Sequence, residues 1–177
     1  MAEPFDIVIF GGSGDLSLRK LVPAMYRAYR EDKLPTGSRI LATCRSQGEV
    51  ETFFEEALQG LQTHLGAEEF CDEAWGRFKT FLFPLELDVA VADQQWRSLA
   101  DLMISEPDKS RIYYLAIPPS IFGVCCEHLA GAGLVSVNSR VVVEKPLGYD
   151  AESADAINTV IAKYFEEGSI YRIDHYL

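Results

Sequence analysis

The chain has 177 residues, 48% of them hydrophobic and 24% charged, with a formal net charge of −11. That length holds one domain with its own core and requires no metal or disulfide staple. So acidic a surface repels phosphate backbones and anionic lipid, which argues against nucleic-acid or membrane binding as its main role.

Residues 5–10 (FDIVIF) read as a first strand, followed at once by the glycine-rich turn GGSGDL. From 16 to about 30, apolar residues at 18, 21, 22, 25, 26 and 29 mark one helical face. Pro35 and Gly37 punctuate, and residues 39–44 (RILATC) read as a second strand. The stretch 49–78 predicts two helices broken near Gly66. Residues 81–87 are a third strand, weakened by Pro84. Then come a helix over 93–104, a strand over 111–117, a helix over 121–129, a strand over 140–145, a helix over 151–166 and a last strand over 170–173. Strands and helices alternate, and the strands are near-continuous apolar runs of the kind covered on both faces. The expected fold class is α/β: one Rossmann-like domain over 1–177, three layers, with a doubly wound, mainly parallel sheet.

Four cysteines (Cys44, Cys71, Cys125, Cys126) and three histidines show no ligand spacing, so no metal site is expected. The N-terminus MAEPF carries neither a basic flank nor a long apolar run, which predicts a reducing, cytoplasmic setting.

The turn Gly11-Gly12-Ser13-Gly14-Asp15-Leu16 lies between the first strand and the first helix. Dinucleotide folds place a pyrophosphate there, against a helix N-terminus. The spacing departs from GxGxxG, because Leu16 and Ser17 stand where the last small residue is expected; alone, such a turn also serves as a tight strand-to-helix connection. The second strand ends Thr43-Cys44-Arg45-Ser46, with no acid until Glu49. An acid near this point holds a ribose 2′-OH, whereas arginine suits a 2′-phosphate. Arg45 alone reads equally as a solvated surface cation. Together with the glycine turn it favours NADP over NAD.

GGSGDLSLRK (11–20), YLAIPPSIF (114–122), EKPLGYD (144–150) and YRIDHYL (171–177), in this order, resemble the motifs of the glucose-6-phosphate dehydrogenases. The resemblance runs from end to end of the chain. It implies NADP-dependent oxidation of glucose 6-phosphate at C1 to the 6-phosphogluconolactone, the first oxidative step of the pentose phosphate pathway. It places Gly11, Gly12, Ser13, Gly14, Asp15 and Leu16 around the pyrophosphate and Arg45 at the 2′-phosphate. Asp88 and Val89 fall near the adenosine half of the coenzyme, and Ala116, Pro118 and Pro119 beside its nicotinamide half.

The resemblance also implies that Lys145, ending a strand at the sheet's carboxyl edge, bridges coenzyme and sugar. Pro146 keeps Lys145 extended and is a candidate for a cis bond. His175 and Tyr176 are implied to hold the substrate phosphate, and Asp174 to orient a catalytic histidine further along the family's chains. Lys20 is left between a substrate contact and a solvated helix lysine. His64 and His128 read as structural. Ala42 replaces a glycine often seen before the arginine, which predicts a somewhat altered adenine end.

The active-site signature breaks off at Leu177, so a truncated coenzyme domain is expected, without the substrate and dimerisation domain. Such a piece is expected to bind coenzyme, to be inactive and to be monomeric, whereas the full-length protein is expected to be a homo-oligomer. Two other readings stay open: a dehydrogenase of non-phosphorylated sugars, which shares an EKP motif, and a non-catalytic NADP-binding module.

Overall fold

The computed structural model describes residues 3–66, 68–92, 94–148 and 150–174. Six strands form one sheet: β1 (Phe5–Phe10), β2 (Arg39–Cys44), β3 (Leu82–Glu86), β4 (Ser110–Leu115), β5 (Ser139–Glu144) and β6 (Ile170–Ile173). Their order is β3-β2-β1-β4-β5-β6, and every pairing is parallel. The helices between them are α1 (Val22–Arg30), α2 (Gln47–His64), α3 (Asp72–Phe78), α4 (Gln94–Ile104), α5 (Phe122–Gly131) and α6 (Ala151–Ile161).

The apolar strands have two faces to fill because the pleat sends alternate side chains to opposite sides. Ile7, Ile9, Ile40, Ala42 and Tyr114 join Tyr26, Phe53, Leu61 and Phe78 of α1, α2 and α3 in one core. Val8, Phe10, Leu41, Tyr113 and Val143 join Trp96, Leu99, Phe122 and Leu129 of α4 and α5 in the other. This is the expected three-layer, doubly wound arrangement. Among the described residues, no helix is long and apolar enough to cross a membrane.

Several boundaries differ from the sequence reading, each for a local reason. Pro84 does sit within a strand, but that strand is the sheet's edge, where its missing N–H breaks no central ladder. The break near Gly66 separates α2 from α3 as expected. The last helix stops at Ile161 rather than 166, and the chain turns so that Phe165 enters the core. The first helix opens with a π turn over Ser17–Leu21 before continuing as α1.

Candidate functional site

Reversal of strand order between β1 and β4 opens a crevice at the carboxyl edge of the sheet, the place where open α/β sheets collect ligands. A cleft of about 530 Å³ lies there. It is lined by Gly11, Ser13 and Gly14 from the turn after β1, by Thr43, Arg45, Glu49 and Glu56 from β2 and α2, by Leu87, Asp88 and Val89 after β3, and by Ala116, Ile117, Pro118 and Ile121 after β4. A smaller cavity of about 310 Å³, lined by Tyr29, Arg30, Cys71 and Arg77 among others, lies between α1 and α3 and away from these strand ends.

The glycine turn is shaped by backbone crowding. Gly11 has φ +83°, and any Cβ there would run into the Ala116 carbonyl. Gly12 is buried, and a Cβ on it would lie 2.6 Å from Cβ of Ala42. Ala42 thus forms the floor beneath the glycine turn, with its methyl fully buried. Thr43 ties the turn down: its Oγ1 accepts from Gly11 N–H (3.2 Å) and its carbonyl from Gly12 N–H (2.8 Å). Ser17 is completely buried, so it fills the small-residue position missing from a frame that starts at Gly11: Gly12-x-Gly14-x-x-Ser17. A little further on, Gly60 of α2 meets the Leu18 carbonyl so closely that a Cβ would lie 2.5 Å from it.

The structure gathers many of the expected residues in the cleft and leaves others outside. Gly11, Ser13, Gly14, Arg45, Asp88, Val89, Ala116 and Pro118 line it; Gly12, Asp15, Leu16 and Pro119 do not. Asp15 points to solvent and pairs with Arg19 at 3.2 Å, Leu16 packs toward the core, and Pro119 opens a short 3-10 turn. Asp88 folds its Oδ1 back to accept from Ala90 N–H (2.9 Å), while its own N–H donates to Gln95. Lys20 is exposed on the π turn and does not line the cleft.

Lys145 is exposed just past β5; its N–H donates to the Ile173 carbonyl (2.9 Å), and its bond to Pro146 is cis. That hydrogen bond brings Asp174, which directly follows Ile173, close to the EKP segment. His175 and Tyr176 lie outside the described residues. The His128 and Trp96 rings pack edge to face with centroids 5.2 Å apart, and His128 Nδ1 lies 3.1 Å from the Val89 carbonyl.

Sequence reasoning misses three polar residues of the cleft, Thr43, Glu49 and Glu56. Thr43 carries a visible signal, a hydroxyl residue at the carboxyl end of β2. Glu49 reads in the sequence only as an acid too distant to matter. Its Oε2 accepts from Ser13 Oγ (2.5 Å) and from Arg45 N–H (3.0 Å), and its Oε1 lies 3.6 Å from Arg45 Nε. The Ser13 hydroxyl first, and the Arg45 amide second, hold its carboxyl below the usual range against the opposing push of burial. Beside it the buried Cys44 thiol is pushed up to about 11, chiefly by burial and then by Glu49, and is inert at neutral pH.

Bare glycines, a helix N-terminus and a crevice at the switch point define a domain of the dinucleotide-binding class. Comparison with known proteins makes the class particular. The family "Glucose-6-phosphate dehydrogenase, NAD binding domain" matches residues 8–177. Glucose-6-phosphate 1-dehydrogenase of Gluconobacter oxydans is 39% identical over 99% of this chain, and that of Rhizobium meliloti is likewise 39% identical over 99%. In three dimensions the Mycobacterium avium glucose-6-phosphate 1-dehydrogenase superposes with a TM-score of 0.88 at 30% identity, covering 99% of this chain and 36% of its own. A glucose-6-phosphate dehydrogenase solved with its substrate glucose 6-phosphate gives 0.84 at 32% identity, with 99% and 38% covered. The chain belongs to the glucose-6-phosphate dehydrogenase family, and its matched region is that family's nucleotide-binding domain. It spans 36% and 35% of the length of the two curated relatives.

Proposed function

We propose that these residues form the coenzyme domain of an enzyme that oxidises D-glucose 6-phosphate at C1 to 6-phospho-D-glucono-1,5-lactone, with NADP as acceptor. The observation that carries this reading is the cleft at the switch point, where side-chain-free glycines face Arg45 across a space of about 530 Å³. The cradle fits a dinucleotide: Gly11 and Gly14 present backbone without side chains to the cleft, as close approach of a diphosphate requires. When bound, NADP supplies the hydride-accepting ring. Arg45, with its side chain 81% exposed, is free to close on a 2′-phosphate. Ala116 and Pro118 flank the opposite end of the cleft, where the nicotinamide belongs.

In this reading Lys145 hydrogen-bonds the sugar at the mouth of the cleft. His175 and Tyr176 grip its phosphate, and Asp174 fixes the tautomer of a histidine base lying outside residues 1–177. Lys20 is kept as a peripheral substrate contact. The reading also includes a cytoplasmic setting, supported by free thiols at Cys44, Cys71, Cys125 and Cys126, a homo-oligomeric full-length protein and a monomeric 177-residue portion.

Two measurements test the proposal. Calorimetry should show NADP binding to the 177-residue chain, while mixing it with NADP and glucose 6-phosphate produces no rise in reduced-coenzyme absorbance. The full-length gene product should reduce NADP with glucose 6-phosphate and only poorly with glucose. Preference for glucose there, or no NADP binding to a folded chain, overturns the reading.

A further inference from the structure

Glu49 occupies the part of the cleft where the adenosine ribose of a dinucleotide meets the residue after β2. Its place follows from α2: Ser46 is the N-cap, and its Oγ accepts from Glu49 N–H at 3.4 Å. In a capping box, the glutamate at this third position returns to the N-cap amide. Here Oε2 reaches past it, to the Arg45 amide at 3.0 Å and across the cleft to the Ser13 hydroxyl at 2.5 Å. Helix capping therefore does not account for the contact with the phosphate turn. The carboxylate spans the two structures that a coenzyme's ribose and diphosphate have to lie between.

We infer that Glu49 sets coenzyme selectivity: its carboxylate offers an acceptor to a ribose 2′-OH and opposes the 2′-phosphate that Arg45 attracts. The inference rests on the dinucleotide reading of this cleft. An acid and an arginine are alternative answers to what stands on the ribose, and this chain holds both, four residues apart and 3.6 Å from side chain to side chain. A phosphate seated on the Arg45 guanidinium lies within a few ångströms of a second anion, so part of the attraction is cancelled. Glu56, on the same face of α2 about two turns further along, adds negative charge to the same wall. A 2′-hydroxyl meets no such opposition and gains an ionised acceptor. The pocket therefore accepts NAD alongside NADP, with a narrower preference than Arg45 alone dictates.

Replacing Glu49 by Gln keeps the shape and removes the charge; Glu49→Ala removes the acceptor as well. Calorimetric titration of NADP and NAD into the wild-type chain and both variants, at one ionic strength and with circular dichroism to verify folding, reads the ratio of the two Kd values. The expected result is NADP binding tightened about tenfold in E49Q and NAD binding weakened severalfold in E49A. An unchanged ratio in both variants, or equal tightening of both coenzymes, overturns the inference and leaves the NADP reading intact. A folded wild-type chain that binds neither coenzyme overturns that reading and this inference together.

Discussion

The two edges of the sheet use charge in opposite ways. At the amino edge, Asp6 of β1 is completely buried and receives Arg39 at 2.8 and 2.5 Å and Lys109 at 2.9 Å. Lys109 also reaches the Gly37 carbonyl (2.7 Å) and Glu106 (3.2 Å), and Arg39 the Leu102 carbonyl (2.9 Å). Arg111, buried beside them, closes α4 by donating to the Met103 and Glu106 carbonyls. At the carboxyl edge Arg45 and Lys145 stand in solvent, and the turn between them is glycine. One end of β1 uses its charges to hold the fold together; the other leaves cations and backbone open to a ligand. Stability and binding are therefore separable by mutation.

The largest stability effect is expected from Asp6→Asn. It leaves Arg39 and Lys109 with Glu106 as their one remaining carboxylate among the described residues, which costs about 3–5 kcal/mol for a broken buried pair. Urea denaturation reads it as a lower midpoint at unchanged slope. Burial by itself raises the Asp6 carboxyl, but Arg39 and Lys109 outweigh it and the net displacement is downward. The unfolded chain therefore takes up the proton at higher pH than the folded one. The contribution of Asp6 is complete above the ordinary carboxylate value of about 4 and is lost as pH falls through the lower folded value. Wild-type stability should fall more steeply than that of Asp6→Asn below pH about 4. Parallel acid limbs would show that the pair contributes nothing.

Gly12→Ala comes next and affects both functions. The new Cβ meets Ala42 backbone at 2.7 and 2.8 Å, which cannot rotate away. Overpacking of this kind costs about 1–3 kcal/mol, and the displaced turn should weaken NADP binding by more than tenfold. Gly76 of α3 is the control, since a methyl group placed on it would meet nothing within 4 Å. Gly76→Ala should stabilise by about 0.5–1 kcal/mol through helix propensity and leave binding alone. Thermal melts with and without NADP separate the two. Equal behaviour would mean that the turn yields freely.

The fold is legible because its signals are local and repeated: six apolar strands separated by helical periodicity fix a two-faced sheet even when individual ends slip. Pro84 is ambiguous because a proline warns against a strand only where both neighbours are paired, and edge position is a property of the whole sheet. The site is legible as far as glycine and Arg45 mark the chain. Ser17 is misjudged when the turn is framed from Gly11, whereas the packing frame begins at Gly12, which is visible only once Ala42 lies beneath it. Glu49 is undervalued because distance along the chain hides the fact that the first turn of α2 folds back over Ser13.

Arg45→Ala should have the smallest effect on stability and the sharpest on recognition. Its side chain is 81% exposed, and its one described ion pair, to Glu49, spans 3.6 Å across four residues of the helix start. Exposed pairs of this sort are worth about 0–1 kcal/mol, so the melting curve should barely move. A 2′-phosphate, however, loses its only arginine in the described cleft lining, and NADP affinity should fall at least tenfold, most strongly at low salt. NAD has nothing at that position to lose, so its affinity should be unchanged. Coenzyme titrations at two salt concentrations check this. An NADP loss accompanied by an equal NAD loss would mean that Arg45 shapes the adenine end as a whole, and the carboxyl edge would then share the structural duty that Asp6 performs at the opposite end.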